Sequence, residues 1–298
     1  MKRYISGIVF LLIGGFYGSA QLSKIHYIPP LAYADDNANS TPNRGQYLYI
    51  STPSATDVNV VITPVGGAPQ AVAVRNDNPY RYDIQGNPGA GPSQAMLVAN
   101  NTNQTARVHV DKGYIIEAVE SEIYVALRAR HSLQAGALVS KGGAALGTQF
   151  RAGMYTSYDP ASTFVSFISV MGTEIGTILT INNIDENVDL VDLDEGTLGS
   201  NAFNKLNDIV VNLNRGDTYT LAVVASDGGA VPVASAYPVT NGGMGHTYNS
   251  DGLIGARITS TKPIVVNSGS MTGAFAEKGN GWKDYGFDQL VDQSKVGS

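Results

Sequence analysis

From Tyr47 onward the chain is cut into short runs rich in Val, Ile, Thr and Tyr by clusters of Gly, Pro, Asn and Asp. YLYIST, starting at Tyr47, and VNVVIT, over 58–63, flank the turn cluster Pro53-Ser54-Ala55-Thr56-Asp57. No window holds an apolar repeat of about 3.6 residues over three turns, so the chain cannot bury its apolar side chains along helix stripes. Strands are expected at 71–74, 95–98, 106–110, 114–117, 123–129, 150–155, 163–170, 177–181, 208–213, 218–225, 231–234, 253–258 and 264–268. Short helices are expected only at 200–205 and 288–294. The 34 glycines suit such a chain, because tight turns and bulges use positive φ. The class is all-β: tandem β-sandwich-like modules, with a β-propeller-like arrangement as the alternative.

The N-terminus reads MKRYISGIVFLLIGGFYGSAQ. Lys2 and Arg3 precede an apolar run from Ile5 to Phe16, and Gly18-Ser19-Ala20 offers small residues for cleavage before Gln21. This is the pattern of a secretory signal peptide over 1–20. Its apolar run falls short of the ~20 residues a spanning helix needs, and no later stretch qualifies as a transmembrane helix. Export through Sec is expected. Residues 21–46 read as an extended entry, stiffened by Pro29-Pro30 and ending in the polar stretch 35–45.

The chain has no cysteine, a formal charge of −6 and a pI near 5.1. The first excludes disulfides, thiolate zinc sites and thiol catalysis. The acidic balance, without a basic run, excludes nucleic acid as a partner. A secreted acidic chain without covalent staples suits a bacterial envelope or surface better than an animal extracellular space.

The histidines are His26, His109, His131 and His246, and no HExxH or GxSxG spacing accompanies them. Glu117, Glu120 and Glu122 cluster at one polar turn. No catalytic residue is assigned. Asp185, Glu186, Asp189, Asp192, Asp194 and Glu195 crowd one short stretch. Oxygen-rich loops hold calcium, so Asp189, Asp192 and Asp194 are candidate Ca²⁺ ligands. The interrupting Leu190, Val191 and Leu193 fit a charged edge strand better. No other cofactor is expected. Gly142-Gly143 and Gly242-Gly243 are read as turns. Trp282, Tyr285 and Phe287 form an aromatic set that either stacks on sugar rings or packs in a core.

Three stretches repeat. Gly113–Ala129 resembles Gly255–Ser270, with Ile123 matching Ile264 and Val125 matching Val266, and the stretch 49–63 resembles 168–182. ALVSKGGAALGT, from Ala137, resembles QLVDQSKVGS, from Gln289. These matches suggest a β module over 47–160, a second over 161–272, and the start of a third module or a linker over 273–298, with the chain expected to continue.

The strings HYIPPL from His26, YISTP from Tyr49, KGYIIEA from Lys112, AGALVSKGGAALGTQF from Ala135 and ITSTKPIVVNSGS from Ile258 resemble bacterial members of the IgGFc-binding-protein N-terminal domain family. Ser260-Thr261-Lys262-Pro263-Ile264 and Ala145-Leu146-Gly147-Thr148-Gln149-Phe150 carry the likeness. The resemblance implies a very large surface protein of the Bacteroidetes, exported by the type IX system after Sec passage, and a non-catalytic role in attachment and gliding motility. It implies outer-membrane, gliding or secretion machinery proteins as partners and a location on the cell surface. A carbohydrate-binding module with a surface polysaccharide or glycan as ligand is the alternative, and an envelope enzyme is a third class.

Overall fold

A computed structural model describes residues 21–33, 42, 44–84, 96–99, 104–131, 133–154, 165–184, 190, 208–223, 252–273 and 284–296. Its regular elements are strands and two short 3₁₀ turns. The first half carries β1 (Ile25–Ile28), β2 (Leu31–Tyr33), β3 (Gly45–Ser51), β4 (Val58–Pro64), β5 (Gln70–Val74), β6 (Tyr80–Asp83), β7 (Leu97–Ala99), β8 (Val108–His109), β9 (Tyr114–Ala118), β10 (Tyr124–Arg130) and β11 (Ala135–Val139). The second carries β12 (Gly147–Arg151), β13 (Val165–Gly172), β14 (Thr177–Asn182), β15 (Ile209–Leu213), β16 (Thr218–Ala222), β17 (Arg257–Gly273) and β18 (Asp284–Gln289). The all-β class holds.

Strand pairing repeats across the two halves. The first half forms one sheet in the order β1-β9-β4-β5 and another in the order β11-β10-β3-β6. The 17-residue strand β17 serves both corresponding sheets of the second half. Its N-terminal part lies between β12 and β14, giving β12-β17-β14-β15. Its C-terminal part lies between β18 and β13, giving β18-β17-β13-β16. Register carries the equivalence to single residues. Leu127 faces Leu48, and Leu48 faces Tyr82, in the first copy. Ser268 faces Ile168, and Ile168 faces Leu221, in the second.

Each copy is a sandwich of its two sheets. Alternation in β4 turns Val58, Val60 and Ile62 inward, where they meet Leu48 and Ile50 of β3 and Val125 and Leu127 of β10. In the second copy Leu179 and Ile181 of β14 meet Ile168 and Val170 of β13 and Phe150 of β12. The first core does not stop at its own copy. Val165, Phe167, Met271, Tyr285 and Phe287 of the second half join it. Asn267 Nδ2 donates to Pro29 O at 2.8 Å, and Gln289 Nε2 donates to Tyr27 O at 2.9 Å, so the junction is polar as well as apolar.

Several local expectations are corrected. The segment expected as a helix at 288–294 is the end of β18 followed by a 3₁₀ turn, Gln293–Lys295. Pairing with β17 keeps Asp288 and Gln289 extended, and the Asp292 carboxylate accepts from Ser294 N at 2.8 Å to open the turn. The strand expected at 253–258 begins only at Arg257, because Leu253 and Ala256 close a turn with Gly255 at φ +80°. Strands β1, β2, β6, β11 and β18 are not among the expected ones. The helix expected at 200–205 and the strand expected at 231–234 lie outside the described residues.

Candidate functional site

The outer face of the sheet β11-β10-β3-β6 is built by alternation. Leu48 and Ile50 point into the core, so Tyr47, Tyr49 and Ser51 point out. Val125, Leu127 and Ala129 point in, so Tyr124, Arg128 and Arg130 point out. Antiparallel register then sets the rows. Asp83, Tyr47, Arg128 and Ala137 lie side by side, and so do Arg81, Tyr49, Ala126 and Val139. Diagonal neighbours interact: the Arg81 guanidinium sits 5.0 Å from the Tyr47 ring centroid, and that of Arg128 sits 4.9 Å from that of Tyr49. The two tyrosine rings meet edge to face at 6.2 Å. Gly45 makes room for this set, since a Cβ there would lie 2.5 Å from the Tyr47 ring.

A groove of about 640 Å³ runs along the face, lined by Tyr47, Tyr49, Arg128, Arg130, His131 and Asp284 among others. Its charges are unevenly matched. Arg81 Nε pairs with Asp83 at 3.0 Å, and that carboxylate holds the guanidinium above its ordinary pKa. Among the described residues, neither Arg128 nor Arg130 forms an ion pair. Asp284 Oδ1 accepts from Ala135 N at 2.6 Å and Tyr285 N at 2.9 Å, which turns that oxygen toward the rim backbone. The result is a basic, aromatic strip on an acidic chain.

Residues 135–298 match the family described as IgGFc binding protein. The chain belongs to the IgGFc binding protein family. Comparison with curated proteins and with solved structures finds no match. The family match begins at β11 and runs through the whole second copy, so Ala135, Ala137 and Asp284 of the groove lie inside it. Tyr47, Tyr49, Arg128 and Arg130 lie N-terminal to it.

The residues singled out from the sequence go elsewhere. Tyr285 and Phe287 are buried, at 5% and 7% exposure, and their rings belong to the core shared by the two copies. A ring held there offers no open face to a sugar. Trp282, Asp189, Asp192 and Asp194 lie outside the described residues. Among the described residues no group of three or more His, Asp or Glu is placed to hold a metal ion.

One polar constellation has the elements of a nucleophile and base. His26 Nδ1 lies 2.9 Å from Ser140 Oγ, and His26 Nε2 lies 2.9 Å from Ile123 O. Ser140 Oγ donates to Gln289 Oε1 at 3.0 Å, and Lys141 N donates to the same oxygen at 2.8 Å. His26, Ser140 and Gln289 are all fully buried. No substrate reaches them, so the set ties β1, β18 and the end of β11 together rather than doing chemistry. The Tyr–Arg face had a signal that sequence reading passed over. Tyr47, Tyr49, Arg128 and Arg130 stand at i and i+2 on two strands, opposite apolar positions of the same strands.

Proposed function

We propose that the chain is the binding region of a secreted, non-catalytic surface adhesin. Membership of a binding-protein family carries this reading, and the open Tyr–Arg face supports it. The leader pattern over 1–20 supports export through Sec. No helix among the described residues is long and apolar enough to cross a membrane. In the finer proposal the parent is a Bacteroidetes protein exported by the type IX system. It acts in attachment and gliding and is held at the outer membrane by gliding or secretion machinery proteins. The family resemblance stated above is its support. The repeating unit in this proposal runs from β1 to the 3₁₀ turn Gly142–Ala144 and again from β12 to the turn Gln293–Lys295, with the junction near Leu146. Calcium at Asp189, Asp192 and Asp194 belongs to the same proposal.

The direct test is attachment. Beads coated with the purified chain should adhere to cell-surface polysaccharide or to the natural substratum above an albumin control, and deleting the parent gene should reduce attachment. Coated beads that behave like the control, with attachment intact in the deletion strain, would remove the adhesin reading. A glycan-binding module is the second reading, and the arginine-backed groove is the observation that favours it.

A further inference from the structure

The two copies treat one equivalent face in opposite ways. Register maps Tyr47 to Phe167, Tyr49 to Ser169, Arg128 to Gly269 and Arg130 to Met271. It maps Arg81 to Thr220 and Asp83 to Ala222. In the second copy all six are buried: Phe167, Met271 and Ala222 enter the core of the first copy, and Ser169 Oγ bonds Thr220 Oγ1 at 2.9 Å. In the first copy the same six places hold two tyrosines, three arginines and an aspartate, and Tyr47, Tyr49, Arg128 and Arg130 of these line an open groove. A module docked there as the second copy is docked would bury two unpaired guanidinium groups, which is strongly unfavourable. The face is therefore not a spare copy of the module junction. Its occupant supplies negative charge and leaves the rim wet.

We propose that the Tyr–Arg groove binds a carboxylated polysaccharide, with Arg128 and Arg130 as the carboxylate-reading residues. The proposal rests on the surface-binding reading above and deepens it. The cations named on this strip, Arg81, Arg128 and Arg130, are arginines, whose planar fork matches a carboxylate with two parallel hydrogen bonds. Tyr49 and Tyr47 hold the Arg128 and Arg81 guanidinium planes from one side, so less side-chain freedom is lost on binding. Arg128 and Arg130 stand two residues apart on β10, about 7 Å along the strand, which presents a pair of donor sets to a linear polymer. Asp284 at the rim sets the charge density. It disfavours a densely sulfated or phosphodiester chain more than a polymer with one carboxylate per sugar. The chain's overall acidity works the same way against nucleic acid.

The test uses the whole purified chain and four probes: polygalacturonate, its fully methyl-esterified form, dextran sulfate and single-stranded DNA. Polygalacturonate should bind, and the ester should not. Binding should weaken by about tenfold or more when salt rises from about 50 to about 500 mM. Arg128→Gln and Arg130→Gln should each weaken it about tenfold, as expected for loss of one charge-assisted pair. Tyr49→Ala should weaken it, and Tyr49→Phe should restore it, because only the ring face is needed. Arg75→Gln, remote and paired with Asp77 at 2.7 Å, should change nothing. Unchanged thermal midpoints separate these effects from misfolding. Equal binding of acid and ester, preference for dextran sulfate or DNA, or an Arg75→Gln effect as large as that of Arg128→Gln would overturn the site. Failure here with bead attachment intact sinks the groove alone. Failure of both sinks the adhesin reading as well.

Discussion

Arg128 and Gly269 occupy the same place in the two copies of the strand pattern. Arg128 lies opposite Tyr47 and Ala137, and Gly269 lies opposite Phe167 and Phe287. One carries a long cation into solvent, and the other has no side chain because Phe287 crosses it. That exchange separates an open face from a buried one.

Adding a side chain at Gly269 should therefore be costly. A Cβ there runs into Phe287 Cβ and lies 2.5 Å from Gly286 O. Gly269→Val should lower stability by about 1–3 kcal/mol, the usual range for overpacking. Arg128→Ala, at the matching place, should stay within about 0.5 kcal/mol. Urea midpoints of the two variants against the parent chain measure both.

Burial lowers the His26 pKa, against the opposing hydrogen bonds that the ring makes to the Ile123 and Ser23 backbone. The unfolded imidazole then takes up a proton before the folded one. Stability is fully present above the unfolded value near 6.5 and falls as pH drops below it. The slope from one such group is at most about 1.4 kcal/mol per pH unit. Phe150 fills the equivalent place in the second copy. His26→Phe should flatten the loss of thermal stability between about pH 6.5 and pH 5. A residual slope should remain from His109, whose pKa burial also lowers. An unaltered slope would show that His26 does not carry the effect.

Asp292 joins the last turn to β12. Its Oδ2 accepts from Thr148 N at 2.7 Å and Gln149 N at 3.0 Å, and its Oδ1 accepts from Ser294 N. Burial alone would raise its pKa; the hydrogen bonds from Ser294, Gln149 and Thr148 outweigh it and bring the pKa below the ordinary value. Its contribution is present above the unfolded value near 4 and is lost as pH falls through the lower folded value. Asp292→Asn should cost about 1.5–3 kcal/mol at neutral pH, the range for bonds to a charged acceptor. It should also shrink the drop in stability below about pH 4. Acid titration of unfolding for both chains checks the sign.

Gln289 is the buried hub of the junction. Its amide serves Tyr27 O, Ser140 Oγ, Lys141 N and Asn267 Oδ1. Gln289→Leu keeps the size and leaves these groups unmatched, so it should cost about 3 kcal/mol. A loss confined to one of two unfolding transitions would show that the copies do not unfold together.

Much of the repeat was legible without coordinates. Ile123 directly precedes β10 and Ile264 lies within β17, and the paired registers set the two at equivalent places. The match of Leu138 with Leu290 was out of register. Pairing sets Val139 opposite Ala126, and Gln289 opposite the equivalent Asn267. The aromatic set was left undecided for a related reason. Of the two roles open to Tyr285 and Phe287, sugar stacking or core packing, neighbours remote in sequence decide for the core.

The sequence by itself determined an all-β chain. Local sterics and the two-residue period of a strand are enough for that. Only the tertiary structure decided which outer face is covered. Whether Tyr47 or Phe167 sees solvent depends on what the rest of the chain lays over it. The second copy's face receives the N-terminal strands and the core of the first, and the first copy's face keeps its arginines in water because burial would leave them unpaired.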